Sequence, residues 1–391
     1  MAMESLRKVV EDIAKENGFG KPEIVINPIS TGGANYSSEL FTIVVSEDAK
    51  ETLHLFSKII IINETIRAQM PPAIFDVERL IYVDLLKKYE DIEISHNVPP
   101  EKRLVVPKYY GCNTKKFEES VVLENLAEKG FITYDRFKSV DWEYAAKAVK
   151  SLAKFHALSM AYSEEYPQEF EEFVKKMDFQ KEMFLGMFHQ FYEQRIETTL
   201  SVTTEERKSK LKKYLDTHIS VETIMKLSES SQRIVLSHGD YRPSNLMHKY
   251  NEDGTLQVIP VDFQTIQYTS PLFDLLYFIF TGSDEKFRRQ HFQDLTDHYH
   301  QELSSALRYL GLNPDIIYPK RTYEYELKEL LPYGLFVAIV GLPIITVELE
   351  DAPSMQGEGG FENMTSSKTG PLYPERMNGV INDFFRWGII E

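Results

Sequence analysis

The chain has 391 residues and a formal net charge of −16, from 44 basic and 60 acidic side chains, with 42% hydrophobic and 12% aromatic residues. That composition supplies a core for one large domain or two lobes and is too apolar for a disordered chain. The acidity and the lack of a Lys/Arg cluster argue against nucleic acid or an anionic membrane surface as the main partner, and the single cysteine, Cys112, excludes an internal disulfide or a cysteine-rich metal site.

The first twelve residues contain no apolar run of the length that a secretory signal needs, so the expected location is the cytoplasm. Glu23-Ile24-Val25-Ile26 and Leu40-Phe41-Thr42-Ile43-Val44-Val45 are β-branched runs that predict two strands, joined by the glycine turn Ser30-Thr31-Gly32-Gly33-Ala34-Asn35-Tyr36-Ser37-Ser38. A third run, residues 54–61, alternates too little to have a wet face and is expected as a central strand carrying Lys58. After Pro71-Pro72, residues 75–86 show helical spacing, and Glu78 falls on that helix. The first 125 residues thus form a β-rich lobe, and residues 126–391 a mainly helical one.

Helices dominate from Asp141 onward, beginning with residues 142–160, where Ala145, Val149, Leu152 and Phe155 trace one face. His156 lies on that apolar side and reads as a satisfied core histidine; the ten histidines supply no metal-ligand spacing. Met183, Met187 and Phe191, with Phe184, Phe188 and Tyr192 beside them, make two stripes at i, i+4, i+8. Core packing is the first expectation for such stripes, and an adaptable apolar binding wall the second. Strand character returns at residues 233–236 and 256–261. Residues 330–347 are uncharged but punctuated by Pro332, Gly334, Gly341 and Pro343, which predicts a buried helix with broken ends rather than a membrane span. Residues 348–370 read as a long polar loop.

The chemistry concentrates in Ser237-His238-Gly239-Asp240-Tyr241-Arg242-Pro243-Ser244-Asn245-Leu246-Met247, followed by Val258-Ile259-Pro260-Val261-Asp262-Phe263-Gln264. A strand delivers Asp240 to a loop, Asn245 follows, and a hairpin turning at Asn251-Glu252-Asp253-Gly254 returns Asp262 to the same end. Phosphoryl transfer needs this set: one carboxylate to accept a hydroxyl proton, and a carboxylate with an amide oxygen to hold Mg2+. Lys58, paired with Glu78, is positioned for the α- and β-phosphates of ATP. Each piece alone is commonly a turn or a solvated strand edge; five in this order rarely coincide.

These residues resemble the ecdysteroid kinase-like family of small-molecule kinases, related to choline and aminoglycoside phosphotransferases. The resemblance extends to Gly33-Ala34-Asn35-Tyr36-Ser37-Ser38, to Phe75, Glu78 and Tyr82, to Leu123-Glu124-Asn125-Leu126, to Phe155-His156-Ala157-Leu158, and to Ser270-Pro271 with Asp274-Leu275-Leu276-Tyr277. It implies an α+β, two-lobed protein-kinase-like fold. It makes Asp240 the catalytic base, Asn245 and Asp262 the magnesium ligands, and Lys58 the phosphate anchor oriented by Glu78. Backbone groups near Glu124, Asn125 and Leu126 would grip the adenine, Ser37 and Ser38 would contact phosphate, and His238 and Asp274 would brace the loop. The chain departs from protein kinases in lacking Gly-x-Gly-x-x-Gly and in having Asp262-Phe263-Gln264. It departs from many family members in having Tyr241-Arg242-Pro243 where a tryptophan is common.

The resulting expectation is an ATP- and Mg2+-dependent kinase acting on a hydroxyl of a lipophilic small molecule, an ecdysteroid by resemblance, with Met187, Phe188 and Phe191 as candidate acceptor contacts. Choline, a sugar or a hydroxylated xenobiotic are the alternative acceptors. A silent nucleotide-binding pseudokinase is disfavoured because Lys58, Asp240, Asn245 and Asp262 are all present. No nucleic acid, membrane or obligate protein partner is expected.

Overall fold

Five strands, β1 (Glu23–Ile29), β2 (Ser38–Ser46), β3 (Leu53–Ile60), β4 (Tyr109–Asn113) and β5 (Ser120–Glu124), pair antiparallel in the order β1-β2-β3-β5-β4. The structure is a computed structural model that describes residues 2–29, 38–62, 64–68, 72–177, 192–348, 351 and 368–391. It has two compact units: Met1–Leu86 with Val106–Ile132 and Glu348–Ser367, and Lys87–Val105 with Thr133–Val347 and Lys368–Glu391. The helix Leu86–Ser95 therefore lies almost wholly in the second unit, and the first runs on to Ile132.

β3 holds the central position expected of it, but its burial alternates: Leu55, Ser57 and Ile59 are buried, while Lys58 points to the other face. Against the buried side lies a helix not anticipated above, α1 (Ala2–Glu16). Leu6, Val10, Ile13 and Ala14 recur at three- and four-residue spacing and pack with Phe41, Ile43, Val45, Leu55, Ile59 and Val122. Gly111 on β4 allows the close approach, since a Cβ there would sit 3.2 Å from Ile13 Cδ1.

The expected helix over 75–86 is a graded structure. A 3-10 turn, Pro72–Asp76, leads into the α turn Val77–Leu80 and then a π segment, Ile81–Leu85. The wide turn brings Ile81, Tyr82 and Leu85 all inward.

In the helical unit, Asp141 caps Trp142–Glu165 by accepting from Tyr144 N at 2.8 Å. That helix packs along Glu285–Tyr309. Ser270 caps Pro271–Gly282, with Pro271 at its first position. Leu331–Ile345 is largely buried and continues through Pro343, ending two residues later. No single helix among the described residues is long and apolar enough to cross a membrane. The helix Tyr373–Arg386 supplies Asp383 to Arg288, a guanidinium only 1% exposed.

Candidate active site

In the first unit, Lys58 is flanked in register by Leu40 on β2 and Val121 on β5, a strand position that leaves its side chain little freedom. Its Nζ donates to Glu78 Oε2 at 3.1 Å and to Oε1 at 3.3 Å. Their side chains are only 12% and 13% exposed, so the pair offsets part of the cost of burying two charges. Ser38 begins β2 and is buried, opposite Ile60; Ser37 lies outside the described residues. At the end of β5, Glu124 N donates to Lys108 O, Asn125 N donates to His54 O, and Asn125 Oδ1 accepts from Ala127 N. These bonds fix the chain from Glu124 to Leu126 as it leaves the sheet and turns into the 3-10 segment Ala127–Lys129.

In the second unit, the buried strand Val235–Ser237 feeds the loop that carries Asp240. One carboxylate organises this loop. Asp274 accepts from His238 N at 2.6 Å and from Gly239 N at 2.8 Å, and His156 Nε2 lies 3.0 Å from the same group. His156 Nδ1 lies 2.7 Å from the Tyr299 hydroxyl. The Asp274 carboxylate accepts, so His156 Nε2 is the donor to it, with the Tyr299 hydroxyl set against Nδ1. His156 is thus a fully buried, satisfied core histidine, as expected, but one that also holds the loop's anchor. His238 is placed by the same logic: its Nε2 donates to Val261 O at 3.0 Å, leaving Nδ1 to face Asp240 N at 3.4 Å.

Among the described residues, three side chains reach the Asp240 carboxylate. Asn245 Nδ2 donates to Oδ2 at 2.8 Å, Arg242 Nε lies 3.1 Å from Oδ1, and the Tyr277 hydroxyl bonds to the same group. Burial raises the Tyr277 phenol well above its usual range, which makes it the donor. Neither Arg242 nor Tyr277 was anticipated as a partner. Arg242 stood out only as a departure from a motif, and Tyr277 lies 37 residues away with no local pattern to link it.

Asn245 and Asp262 flank the open end of the hairpin formed by Leu246–Tyr250 and Leu256–Pro260. Leu246 pairs with Pro260, and Val261 N donates to Asn245 O at 2.9 Å. Asp262 adopts a left-handed backbone, φ 68°, uncommon for a residue with a side chain. Next to it Phe263 is fully buried against His238 and Phe155. Asn245 Nδ2 is occupied by Asp240, which leaves Oδ1 as the amide atom able to accept or ligate. No group of three or more His, Cys, Asp or Glu among the described residues is placed to hold a metal. The donor set of one carboxylate and one amide oxygen fits Mg2+, which keeps several waters and shares substrate phosphates.

Rings line the neighbourhood of Asp240. Tyr333 feels its charge, Phe273 stacks on Tyr333 at 3.8 Å, and Phe336 lies beyond. Tyr192 packs on Phe336 and donates to Ile219 O at 2.9 Å. Met187, Phe188 and Phe191 lie outside the described residues.

A strand lysine paired with a glutamate in one unit, and in the other a loop aspartate bonded to an asparagine that leads into a hairpin ending at a second aspartate, are residue types that phosphoryl transfer can use. The chain belongs to the ecdysteroid kinase-like family, whose pattern matches residues 32–312. No curated protein matches the sequence. Among solved structures, a Plasmodium vivax ethanolamine kinase is similar at 12% identity, with 92% of this chain and 81% of that one covered and a TM-score of 0.48. Wild-type aminoglycoside 2'-phosphotransferase-IIIa bound to GDP is similar at 13% identity, 96% and 98% coverage and a TM-score of 0.43. A point mutant of that phosphotransferase, also with GDP, gives 10%, 96% and 97%, and 0.45. The family assignment rests on the matched segment, residues 32–312.

Proposed function

We propose that the protein transfers the γ-phosphoryl group of ATP to a hydroxyl of a lipophilic alcohol, with an ecdysteroid the favoured acceptor. The observation that carries this reading is the Asp240 carboxylate, held by Arg242, Asn245 and Tyr277 yet 21% exposed at its side chain. A base so oriented can take the proton of a hydroxyl brought within hydrogen-bond reach. Lys58, kept extended by Glu78, supplies a fixed cation for the nucleotide's phosphates. Asn245 and Asp262 would hold Mg2+, which when bound neutralises charge on the β- and γ-phosphates. The backbone from Glu124 to Leu126 would receive the adenine, and Ser37 and Ser38 the phosphates.

The rings of Phe273, Tyr277 and Tyr333 support a lipophilic acceptor, because apolar faces gain about 25 cal/mol per Å² removed from water. The reading requires no protein, nucleic-acid or membrane partner, and a cytoplasmic enzyme would meet ATP and Mg2+ directly. ADP release with ATP and Mg2+, measured across sterols, cholines, sugars and phenols, tests it. Sterol-dependent release is the expected result. Failure of every acceptor in the panel to stimulate release would refute the kinase reading, and release with sugars alone would move the acceptor.

A further inference from the structure

Beside Asp240 stands a cation that proton transfer does not require. Arg242 Nε lies 3.1 Å from Oδ1 and 3.2 Å from Oδ2, and the arginine side chain is 24% exposed. Its backbone is held as well: Arg242 N donates to Asp240 O, and Arg242 O accepts from Asn245 N. A hydroxyl that gives its proton to Asp240 must touch this carboxylate, so the carbons next to that hydroxyl lie within a few ångströms of the guanidinium. An ammonium there would meet a like charge, and Arg242 has already taken up much of Asp240's attraction for it. The neighbouring carboxylate, Asp274, is spent on two loop amides and His156. Among the described rings, Tyr333 offers an ammonium little, because one of its faces is covered by Phe273.

We propose that Arg242 is a specificity-determining residue that sets the charge of the acceptor: alcohols that are neutral or anionic next to the reacting hydroxyl are admitted, and ammonium alcohols are refused. The proposal rests on Asp240 being the group that meets the acceptor hydroxyl. It names a selection that neither the aspartate nor the family assignment supplies.

The test uses choline and dimethylbutanol, its uncharged carbon isostere, as acceptors and as competitive inhibitors of whichever panel alcohol turns over. The wild-type enzyme should favour the neutral probe by at least about tenfold, a modest return from juxtaposed like charges. Arg242→Gln should shrink that preference by about tenfold, while Arg242→Lys, which keeps the charge, should retain it. Thermal unfolding of both variants checks that the loop still folds. A ratio unchanged by the Gln substitution, including the case in which neither probe competes before or after it, overturns the assignment, as does a wild-type enzyme that takes choline equally well. A wild-type enzyme inert toward every panel alcohol would refute the kinase reading first, and this proposal with it.

Discussion

Gly239 allows the sharpest test of how the Asp240 loop is held. Its φ is +81°, and a Cβ built there would lie 1.9 Å from Thr265 O and 2.9 Å from Thr265 C. The left-handed backbone alone costs an alanine about 1–2 kcal/mol. The clash adds to this, because an ordinary C···O contact is no closer than about 3.3 Å and one backbone must move by roughly 1 Å or more. Both are pinned: Gly239 N bonds to Asp274 Oδ1 at 2.8 Å, and Thr265 Oγ1 donates to His238 O at 3.1 Å. Overpacking of this kind costs about 1–3 kcal/mol, so Gly239→Ala should lose about 2–5 kcal/mol in all. A shift of that size in the next residue, Asp240, should lower turnover about 100-fold. Gly254→Ala is the control, since its φ is +80° with nothing within 4 Å of the added carbon. It should show the backbone cost alone and unchanged turnover. Urea unfolding and ADP release measure both variants. The reasoning is refuted if Gly239→Ala is no less stable than Gly254→Ala and keeps turnover within about threefold of wild type.

Asp240→Asn should lower turnover by about 10²–10⁴-fold while calorimetry shows ATP binding nearly unchanged, and near wild-type turnover would remove Asp240 as the base. Lys58→Met should raise the Michaelis constant for ATP or lower turnover. Combined with Glu78→Ala, its effect should fall short of the sum by about 1 kcal/mol or more, whereas strict additivity would contradict a single functional pair. Asp262→Ala should weaken the Mg2+-dependent part of nucleotide binding, and an unchanged Mg2+ titration would count against its role. Burial raises Glu93, 6% exposed, from its ordinary 4.5 to about 7. Between those values the folded chain holds the proton that the unfolded chain releases, so this group's contribution to stability falls as pH rises. Glu93→Gln should match wild type near about pH 5 and exceed it by about 1–3 kcal/mol near about pH 7.5, below the titration of Lys154, which burial brings to about 8. Parallel pH profiles for the two proteins would refute the assignment.

Patterns that repeat over neighbouring residues were legible in the sequence. The β-branched runs of β2 and β3, the glycine turn at 251–254 and the apolar face from Ala145 to Phe155 all express local geometry, and the structure forms each. The period of Leu6, Val10 and Ile13 is equally a helical one, although the first twelve residues contain no apolar run of the length that a secretory signal needs. What stayed hidden depends on distance along the chain. His156 and Asp274 are 118 residues apart, and nothing in either neighbourhood announces that one orients the other. The exchange of charge between Arg242 and Asp240 is local, yet it depends on a rotamer, which residue order does not encode. Burial on β3 alternates because α1 covers only one face, a tertiary fact that overrode the reading of an evenly apolar strand.

The helical unit takes its final piece, Lys368–Glu391, from beyond a segment grouped with the other unit. That order bears on synthesis. Arg288 is buried with Asp383 as its carboxylate partner, 95 residues further on, and ribosomes add about 5–20 residues per second. For several seconds or more the guanidinium has no such partner, and the apolar helix Leu331–Ile345 lacks Tyr373–Arg386, which packs against it in the finished protein. The Arg288–Asp383 pair therefore forms late, because closing the helical unit around the guanidinium needs a residue 95 positions further along the chain.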